Sequence, residues 1–467
     1  MWLAFQRTLI AMKISANKTF AIASQRVVLP EGERPAAVVI SGDTIEAIVS
    51  IHDLPAGVRI ENFDGQVISP GLVDAHVHVN QPGRTMWEGI ETASSAAAAG
   101  GITTIVDMPL NSSPVTTSVE ALQAKRESVA NRCFVDMGFY GGLVPDNVDA
   151  VAGLISAGVL GIKAFLCDSG LDEFPATGDK EFRRALPILK RSDTPLLVHA
   201  ELAEQAPLSL TDRRSYSQYL ASRPDPFETG AIQLLINLCR EFNSPIHVVH
   251  LATEKACQMI AAAKSDKLPL SIETCPHYLY FSAEEIPEGA TSFKCAPPIR
   301  TSDNRQQLRQ ALRQGLIDTI GSDHSPCLPK LKLLEHGDFE HAWGGIASLQ
   351  LMLPIVWSVA LDMGWRPAQL AHWMSTAPAN LIGAGHRKGK LQMGYNADIV
   401  VWDPTDEFIV QGETLFHRHP LTPYEGRRLT GVVRRTYLRG EIVFENGRIV
   451  GPPRGQLLRR EITGSCA

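Results

Sequence analysis

The sequence predicts an α/β protein: a (β/α)8 barrel, similar to a TIM barrel, with a small β-sandwich domain formed from both chain ends. Two observations indicate this fold. From about residue 67, short apolar runs and stretches of helical spacing alternate eight times, which is typical of a closed parallel barrel. Both flanks of that region instead contain strand-like runs joined by Gly-Asp and Asn-Gly turn signals.

Eight apolar runs provide the predicted barrel strands, and small or polar residues that predict loops follow them. In chain order they are VISPGLVDAHVHV (67–79), TTIVDMPL (103–110), FVDMGFYGGL (134–143), GIKAFL (161–166), PLLVHAE (195–201), PIHVVHLA (245–252), LPLSIETC (268–275) and LIDTIGSD (316–323). A doubly wound sheet is the competing architecture. No GxGxxG motif follows the first strand, however, and eight units favour closure.

The chain divides into three predicted parts. Residues 67–388 form the barrel, and residues 20–66 pair with residues 389–455 in one composite β-domain, because neither arm has enough apolar residues to stand alone. Residues 1–19 are predicted to be an N-terminal extension. The first thirty residues contain four basic residues and no acid, a bias that mitochondrial transit peptides share. We expect a cytoplasmic protein, and organellar targeting stays an alternative.

Composition favours a small-molecule partner. The net charge is −6 with both signs mixed along the chain, so no basic stripe indicates a nucleic acid. No apolar run approaches the roughly 18 residues of a membrane-spanning helix, which predicts a soluble chain. The eight cysteines form no CxxC pair, so we expect mostly buried thiols and a reducing compartment.

His76 and His78 are the first candidate site residues. They lie two apart on a predicted strand, so both side chains leave the same face and can offer two nitrogens to one metal. An HxH pair alone is also compatible with chance, or with hydrogen-bonded core histidines. The interpretation as a metal site therefore needs further ligands.

Further candidates stand at the C-terminal ends of other predicted strands: Lys163, His199, His250 and Asp323. Barrel enzymes place their catalytic groups at that end, so these side chains are expected to meet at one mouth. Individually, each has an alternative: the histidines as core residues, the lysine as a surface residue with a buried stem, and the aspartate as a helix cap. His247 is predicted to be a core residue or to support the site from behind.

This set suits a pair of divalent metals. Zinc, manganese, iron and cobalt accept imidazole and carboxylate ligands, and two adjacent ions lower the pKa of a bridging water. The charged ammonium form of Lys163 would repel these cations. A buried neutral amine can instead add carbon dioxide and become a carbamate, whose two oxygens can bridge two metals.

These residues and their order resemble the amidohydrolase superfamily, and within it the cyclic amidohydrolases: dihydroorotases, dihydropyrimidinases or hydantoinases, and allantoinases. The resemblance covers nearly the whole chain, and it implies six metal ligands: His76, His78, Lys163, His199, His250 and Asp323. It further implies that the HxH pair binds the more buried metal and the other two histidines the second metal. Lys163 would bridge them as N6-carboxylysine, and Asp323 would double as catalytic base. Zinc is favoured for both ions, with iron, cobalt and manganese as alternatives.

The branch of the superfamily depends on several segments. Dihydroorotases have HxHxR, with an arginine that pairs with the substrate carboxylate, and that position is Asn80 here. Dihydropyrimidinases lack the segment PGRTMWEG (82–89), which allantoinases carry closely. Allantoinases also resemble the chain in AAAGGITTIVDMPLNSSP (97–114), ETCPHY (273–278), KCAPPIR (294–300), SDHSPC (322–327) and AWGGIASLQ (342–350).

The resemblance to allantoinases implies hydrolysis of the hydantoin ring of allantoin to allantoate, with a homotetramer as the expected assembly. Allantoin is neutral, so backbone groups rather than a charged clamp should recognise it. By resemblance the substrate contacts are the main chain at Ala296 and Gly344 and the side chains of Ser325 and Asn111. Arg84 and Trp87 either close the site or form a structural stacking pair. A hydantoinase of broader specificity and a non-catalytic scaffold are the alternatives.

Overall fold

A computed structural model of the protein describes residues 19–54, 57–202 and 209–461. The predicted extension at residues 1–19 lies outside these residues except for its last position. The N-terminal strands are β1 Thr19–Leu29, β2 Gly32–Ser41, β3 Thr44–Val49, β4 Arg59–Asn62 and β5 Val67–Pro70. The central strands are β6 Leu72–Val77, β7 Ile102–Asp107, β8 Asp136–Phe139, β9 Gly141–Gly142, β10 Ile162–Phe165, β11 Leu196–His199, β12 Ile246–Val248, β13 Leu270–Thr274 and β14 Thr319–Ile320. The C-terminal strands are β15 Ile399–Ile409, β16 Arg428–Leu438, β17 Glu441–Glu445 and β18 Arg448–Ile449.

Helices alternate with the central strands along the chain and follow the last of them. They are α1 Ile90–Ala99, α2 Val119–Val129, α3 Val151–Ser156, α4 Asp179–Arg191, α5 Tyr216–Ser222, α6 Asp225–Phe242, α7 Cys257–Ser265, α8 Pro276–Tyr280, α9 Ser302–Arg313, α10 Met352–Met363, α11 Pro367–Ala371 and α12 Ala377–Leu381. Side-chain oxygens cap the N-termini of three of them: Ser118 Oγ accepts from Ala121 N before α2, Ser215 Oγ from Gln218 N before α5, and Thr301 Oγ1 from Asn304 N before α9. No helix of the described residues is long and apolar enough to cross a membrane.

The central strands form a parallel barrel. Strands β6, β7 and β8 pair in one sheet and β9 to β14 in a second, and β8 and β9 are two halves of one strand interrupted at Tyr140. A parallel bridge between Val77 and His324 closes the circle, and the His78 amide donates to the His324 carbonyl at 2.9 Å. Every predicted barrel run contains a strand of this barrel, so the predicted fold class is confirmed.

Both chain ends contribute to one nine-stranded sheet. Its order is β18-β17-β16-β15-β5-β1-β2-β3, and β4 pairs with β1. The first predicted run, residues 67–79, is in fact divided: β5 belongs to this sheet and β6 to the barrel. Gly71 lies between them, where an added Cβ would stand 2.4 Å from the Thr103 side chain. Only glycine therefore allows the chain to pass from the sheet to the barrel at this point.

A buried ion cluster joins the sheet to the barrel. Lys388 Nζ, which is 1% exposed, lies 2.7 Å from Asp136 Oδ2 at the start of β8 and 2.6 Å from Asp398 Oδ2 just before β15. Arg439 also pairs with Asp136. Burial raises the pKa of Asp136, but Lys388 and Arg439 outweigh burial and lower it below its ordinary 3.8.

We expect Lys388→Met to destabilise the fold by about 3–5 kcal/mol, because it leaves two buried carboxylates without their shared cation. The matched control is Lys390→Met, since Lys390 is only half-buried and should change the free energy of unfolding by less than about 0.5 kcal/mol. Urea unfolding of both variants measures the difference. The contribution of Asp136 should be complete above pH 4 and disappear as the pH falls through its lowered pKa, so a deficit of K388M that does not shrink in acid would contradict this account.

Candidate metal centre

All six predicted ligands line one cavity of about 520 Å³ at the C-terminal mouth of the barrel. Lys163 lies within β10 and His199 ends β11, whereas the others stand on or just beyond the ends of β6, β12 and β14. Every one is buried, with exposed fractions between 1% and 7%. The structure therefore brings together the complete set that strand-end reasoning selected.

His76, His78 and Asp323 form one compact group of possible metal ligands. Their ligand atoms lie within 4.8 Å of one another. His76 Nε2 is 3.3 Å and His78 Nε2 is 3.5 Å from Asp323 Oδ1. Two imidazole nitrogens and a carboxylate oxygen aimed at one point fit a divalent ion such as zinc.

Hydrogen bonds on the far side of each ring set which nitrogen is available. His76 Nδ1 lies 2.6 Å from Glu273 Oε1, and His78 Nδ1 donates to the Leu110 carbonyl at 2.8 Å. A carbonyl and an ionised carboxylate can only accept, so both Nδ1 atoms carry the proton and both Nε2 atoms are left as lone-pair donors. Burial raises the pKa of Glu273, but the neighbouring imidazoles outweigh burial and lower it to about 2.

His199 and His250 form the second half of the site. Their ring centroids are 4.5 Å apart, and His199 also stacks on Phe165 at 4.7 Å. His199 Nε2 donates to Glu201 Oε2 at 2.8 Å, which leaves Nδ1 as its lone-pair donor. His250 Nδ1 is buried and has no hydrogen-bond partner among the described residues.

Lys163 lines the same cavity as both histidine pairs. It is 1% exposed, and in the described part of the chain it forms no ion pair; its Nζ stands 4.8 Å from the Phe165 ring centroid. Burial lowers the pKa of Lys163 to about 7, although the charges of Asp323 and Glu273 raise it in part. This is the environment of a buried amine, and the alternative of a surface lysine is wrong.

Asp323 stands just after β14 with a left-handed backbone, φ 44°. Ser325 Oγ donates to its Oδ1 at 2.7 Å. Burial raises the pKa of Asp323, but the imidazoles of His76, His78 and His250 outweigh burial and hold it well below the ordinary value. Its carboxylate therefore faces the histidines, and the alternative of a helix cap is wrong.

The four predicted substrate contacts, Ser325, Ala296, Gly344 and Asn111, all line the cavity. Asn111 Nδ2 donates to Asn80 Oδ1 at 3.2 Å. The pair Arg84 and Trp87 does not line the cavity. Arg84 instead donates to the Asn111 carbonyl at 2.8 Å, and Trp87 packs edge-on against Trp343, which does line it.

The buried Lys332 joins two segments that line the cavity, one around Lys294 and one around Gly345. Lys332 Nζ donates to the Lys294 carbonyl at 3.1 Å and to the Gly345 carbonyl, while Gly345 N donates to the Lys294 carbonyl at 2.8 Å. These atoms flank Ala296 and Gly344 in sequence. The backbones at which substrate recognition is predicted are thus fixed relative to each other.

Sequence reasoning missed three residues around the site: Glu201, Arg223 and Glu273. Glu201 follows His199 at i+2, so its place on the same strand face was a usable signal, and Glu273 is an acid inside an otherwise apolar strand. Arg223 had no such signal. His247, predicted as core or supporting, contacts Ser271 Oγ at 2.8 Å and Glu273 at 3.8 Å.

Comparison with known proteins gives consistent results. The sequence profile of the amidohydrolase family matches residues 67–443. The chain is 46% identical to the allantoinase of Streptomyces avermitilis over 94% of this chain and 98% of that protein. It is 44% identical to the allantoinase of Arabidopsis thaliana over 93% and 90%, respectively. The solved L-hydantoinase (dihydropyrimidinase) of Arthrobacter aurescens has a TM-score of 0.86 at 28% identity, covering 94% of this chain and 100% of that one.

Proposed function

The chain belongs to the amidohydrolase family, and from that premise we propose that it is a metal-dependent hydrolase that opens the hydantoin ring of allantoin to give allantoate. The observation that carries this proposal is near full-length similarity to allantoinases together with one cavity that all six candidate ligands line. Relatives that act only as scaffolds lose ligands, so this similarity favours an enzyme. The site uses divalent metal, and its buried imidazole nitrogens and carboxylate oxygen are donor atoms that such ions accept.

We assign the ligands to two ions. His76 and His78, with Asp323, would hold the more buried ion, because their Nε2 atoms converge on its carboxylate. His199 and His250 would hold the second. Bound ions would lower the pKa of water and polarise the ring carbonyl, with zinc the favoured metal.

As a carbamate, Lys163 would supply oxygen ligands to the ions. Its Nζ is buried without an ion-pair partner among the described residues, which favours the neutral amine. The neutral nitrogen attacks the carbon of carbon dioxide, the N–C bond forms as one C=O π pair moves onto oxygen, and the nitrogen releases a proton to water. The product carries two oxygens where an ammonium would have repelled cations.

Asp323 moves the proton in the reaction. Its carboxylate takes the proton of the attacking water and delivers it to the departing ring nitrogen, as a general base and then a general acid. Ser325, by donating to Oδ1 at 2.7 Å, orients that carboxylate. The main chain at Ala296 and Gly344 and the side chains of Ser325 and Asn111 would position the neutral substrate at the mouth of the barrel.

We expect the purified, metal-loaded protein, assayed with bicarbonate, to prefer allantoin over hydantoin, dihydrouracil and dihydroorotate. Dihydroorotate should be poorest, because the position of its carboxylate-binding arginine is Asn80, whose side chain donates to the Pro326 carbonyl at 3.2 Å. Initial rates on all four compounds test this. A preference for dihydrouracil or hydantoin would indicate a hydantoinase instead. This is the second candidate, because the chain resembles the solved L-hydantoinase at 28% identity. Inactivity on all four with two metals bound would favour a scaffold.

We also propose a homotetramer, since cyclic amidohydrolases are commonly tetramers, and a cytoplasmic location. Light scattering of the purified protein tests the first. Fractionation of the source cells tests the second.

A further inference from the structure

An arginine lines the cavity in which only neutral recognition was predicted. Arg223 stands directly after α5 and forms a two-point ion pair with Glu201: Nε lies 3.1 Å from Oε1 and Nη2 lies 2.5 Å from Oε2. Glu201 is fully buried, whereas 23% of the Arg223 side chain is exposed. The guanidinium is thus anchored on one side and faces the cavity with part of its surface.

The anchor also sets the distance of the guanidinium from the reacting centre. Glu201 Oε2 accepts from His199 Nε2 at 2.8 Å, so a single carboxylate separates Arg223 from a proposed metal ligand. Arg223 also lines the same cavity as all the proposed ligands, so a group attached to a substrate ring held there can face the guanidinium. The cavity, at about 520 Å³, has room for such a group.

The donors of Arg223 are not exhausted by this pair. A guanidinium has five N–H groups and no acceptor, and the bonds to Glu201 use only two of them. The Cys167 thiol lies beside the guanidinium, but sulfur is a weak acceptor. A carbonyl oxygen is the neutral ligand group that best matches the remaining donors.

We propose that Arg223 determines specificity by donating to the carbonyl oxygen of the ureido group that allantoin carries on its ring. This inference rests on the proposed function and adds a contact for the ureido group, which the metal centre would not bind. Hydantoin has the same ring without the ureido group. Arg223 should therefore matter for the choice between the two compounds, beyond any effect on hydrolysis itself.

The experiment compares kcat/KM on allantoin and on hydantoin for the wild type, Arg223→Met and Glu201→Gln. Methionine keeps an unbranched, flexible stem and removes every donor. We expect Arg223→Met to lower the ratio of allantoin to hydantoin activity by about 10-fold to 100-fold, the loss of one or two hydrogen bonds to an uncharged group. Glu201→Gln should lower both activities, because Glu201 contacts His199, and should lower the ratio less than Arg223→Met does, because the guanidinium keeps its donors and loses only its charged partner.

An equal loss on both substrates in Arg223→Met would overturn the proposal, since the arginine would then act only through Glu201 and the second metal ligand. Metal content per chain, measured in parallel, would fall in that case. The proposed function itself fails on a different result, a wild type that does not hydrolyse allantoin.

A second measurement uses only the wild-type protein and holds even if Arg223→Met does not fold. Two hydantoins of nearly equal shape carry either a carbamoylmethyl or an isobutyl group on the ring carbon that bears the ureido group in allantoin. We expect the carbamoylmethyl compound to be preferred by about 10-fold, because only its carbonyl can accept from Arg223. Equal kcat/KM values for the two compounds would contradict the proposal.

Discussion

Replacing Lys163 by alanine is expected to abolish the loading of two metals per chain and to lower kcat/KM for allantoin by about a thousandfold or more. Lys163 is buried in the cavity that both histidine pairs line, and its carbamate would supply two oxygen ligands for the ions. Alanine leaves the second ion with His199 and His250 alone. Two imidazoles are too few ligands for a closed site, so this ion should be lost first.

Elemental analysis of the purified variant measures the metal content directly. The control is Lys255→Ala, because that lysine is 64% exposed in its side chain, pairs with its neighbour Glu254 and should keep both ions. Acetate or other short acids should partly restore activity to K163A by providing the missing oxygens. Two metals retained in the variant would show that the bridge is not required.

The meeting of the six candidate ligands in one cavity could be predicted because it depends on local rules. Alternation along a strand places His76 and His78 on one face, and the parallel barrel brings the ends of distant strands to one mouth. The same rules left Gly71 undetected, since its role comes from the close approach of Thr103. An apolar run alone does not reveal where one strand leaves a sheet and the next enters a barrel.

The polar surroundings of the ligands could not be predicted to the same extent. Arg223 meets Glu201 only because the segment around α5 folds back over the cavity, which no periodicity encodes. The cluster of Lys388 and Asp136 joins residues 252 positions apart in the sequence. From the sequence, charged side chains such as these are predicted to lie on the surface, and only the tertiary structure shows which of them are buried.

Asp323→Asn is expected to lower kcat on allantoin by about a thousandfold to ten-thousandfold, while KM changes much less. Asparagine keeps the size of the side chain and an oxygen that can bind a metal, but it cannot accept the proton of the attacking water. The histidines keep their orientation in this variant, because Glu273 and the Leu110 carbonyl hold them from the opposite side. Both ions should therefore be retained, and the loss should come from proton transfer.

A matched change at Asp168 separates this effect from a general change of charge in the cavity. Asp168 also lines the cavity and is exposed, and its carboxylate accepts from Gly170 N and forms no hydrogen bond to a proposed ligand among the described residues. The kcat of Asp168→Asn should therefore stay within about threefold of the wild-type value. Steady-state kinetics and metal analysis of both variants decide the matter. If D323N kept both ions and more than a tenth of kcat, Asp323 would not be the proton acceptor. No other carboxylate in the described part of the chain lies as close to both His76 and His78, so a group other than a carboxylate would then have to accept the proton.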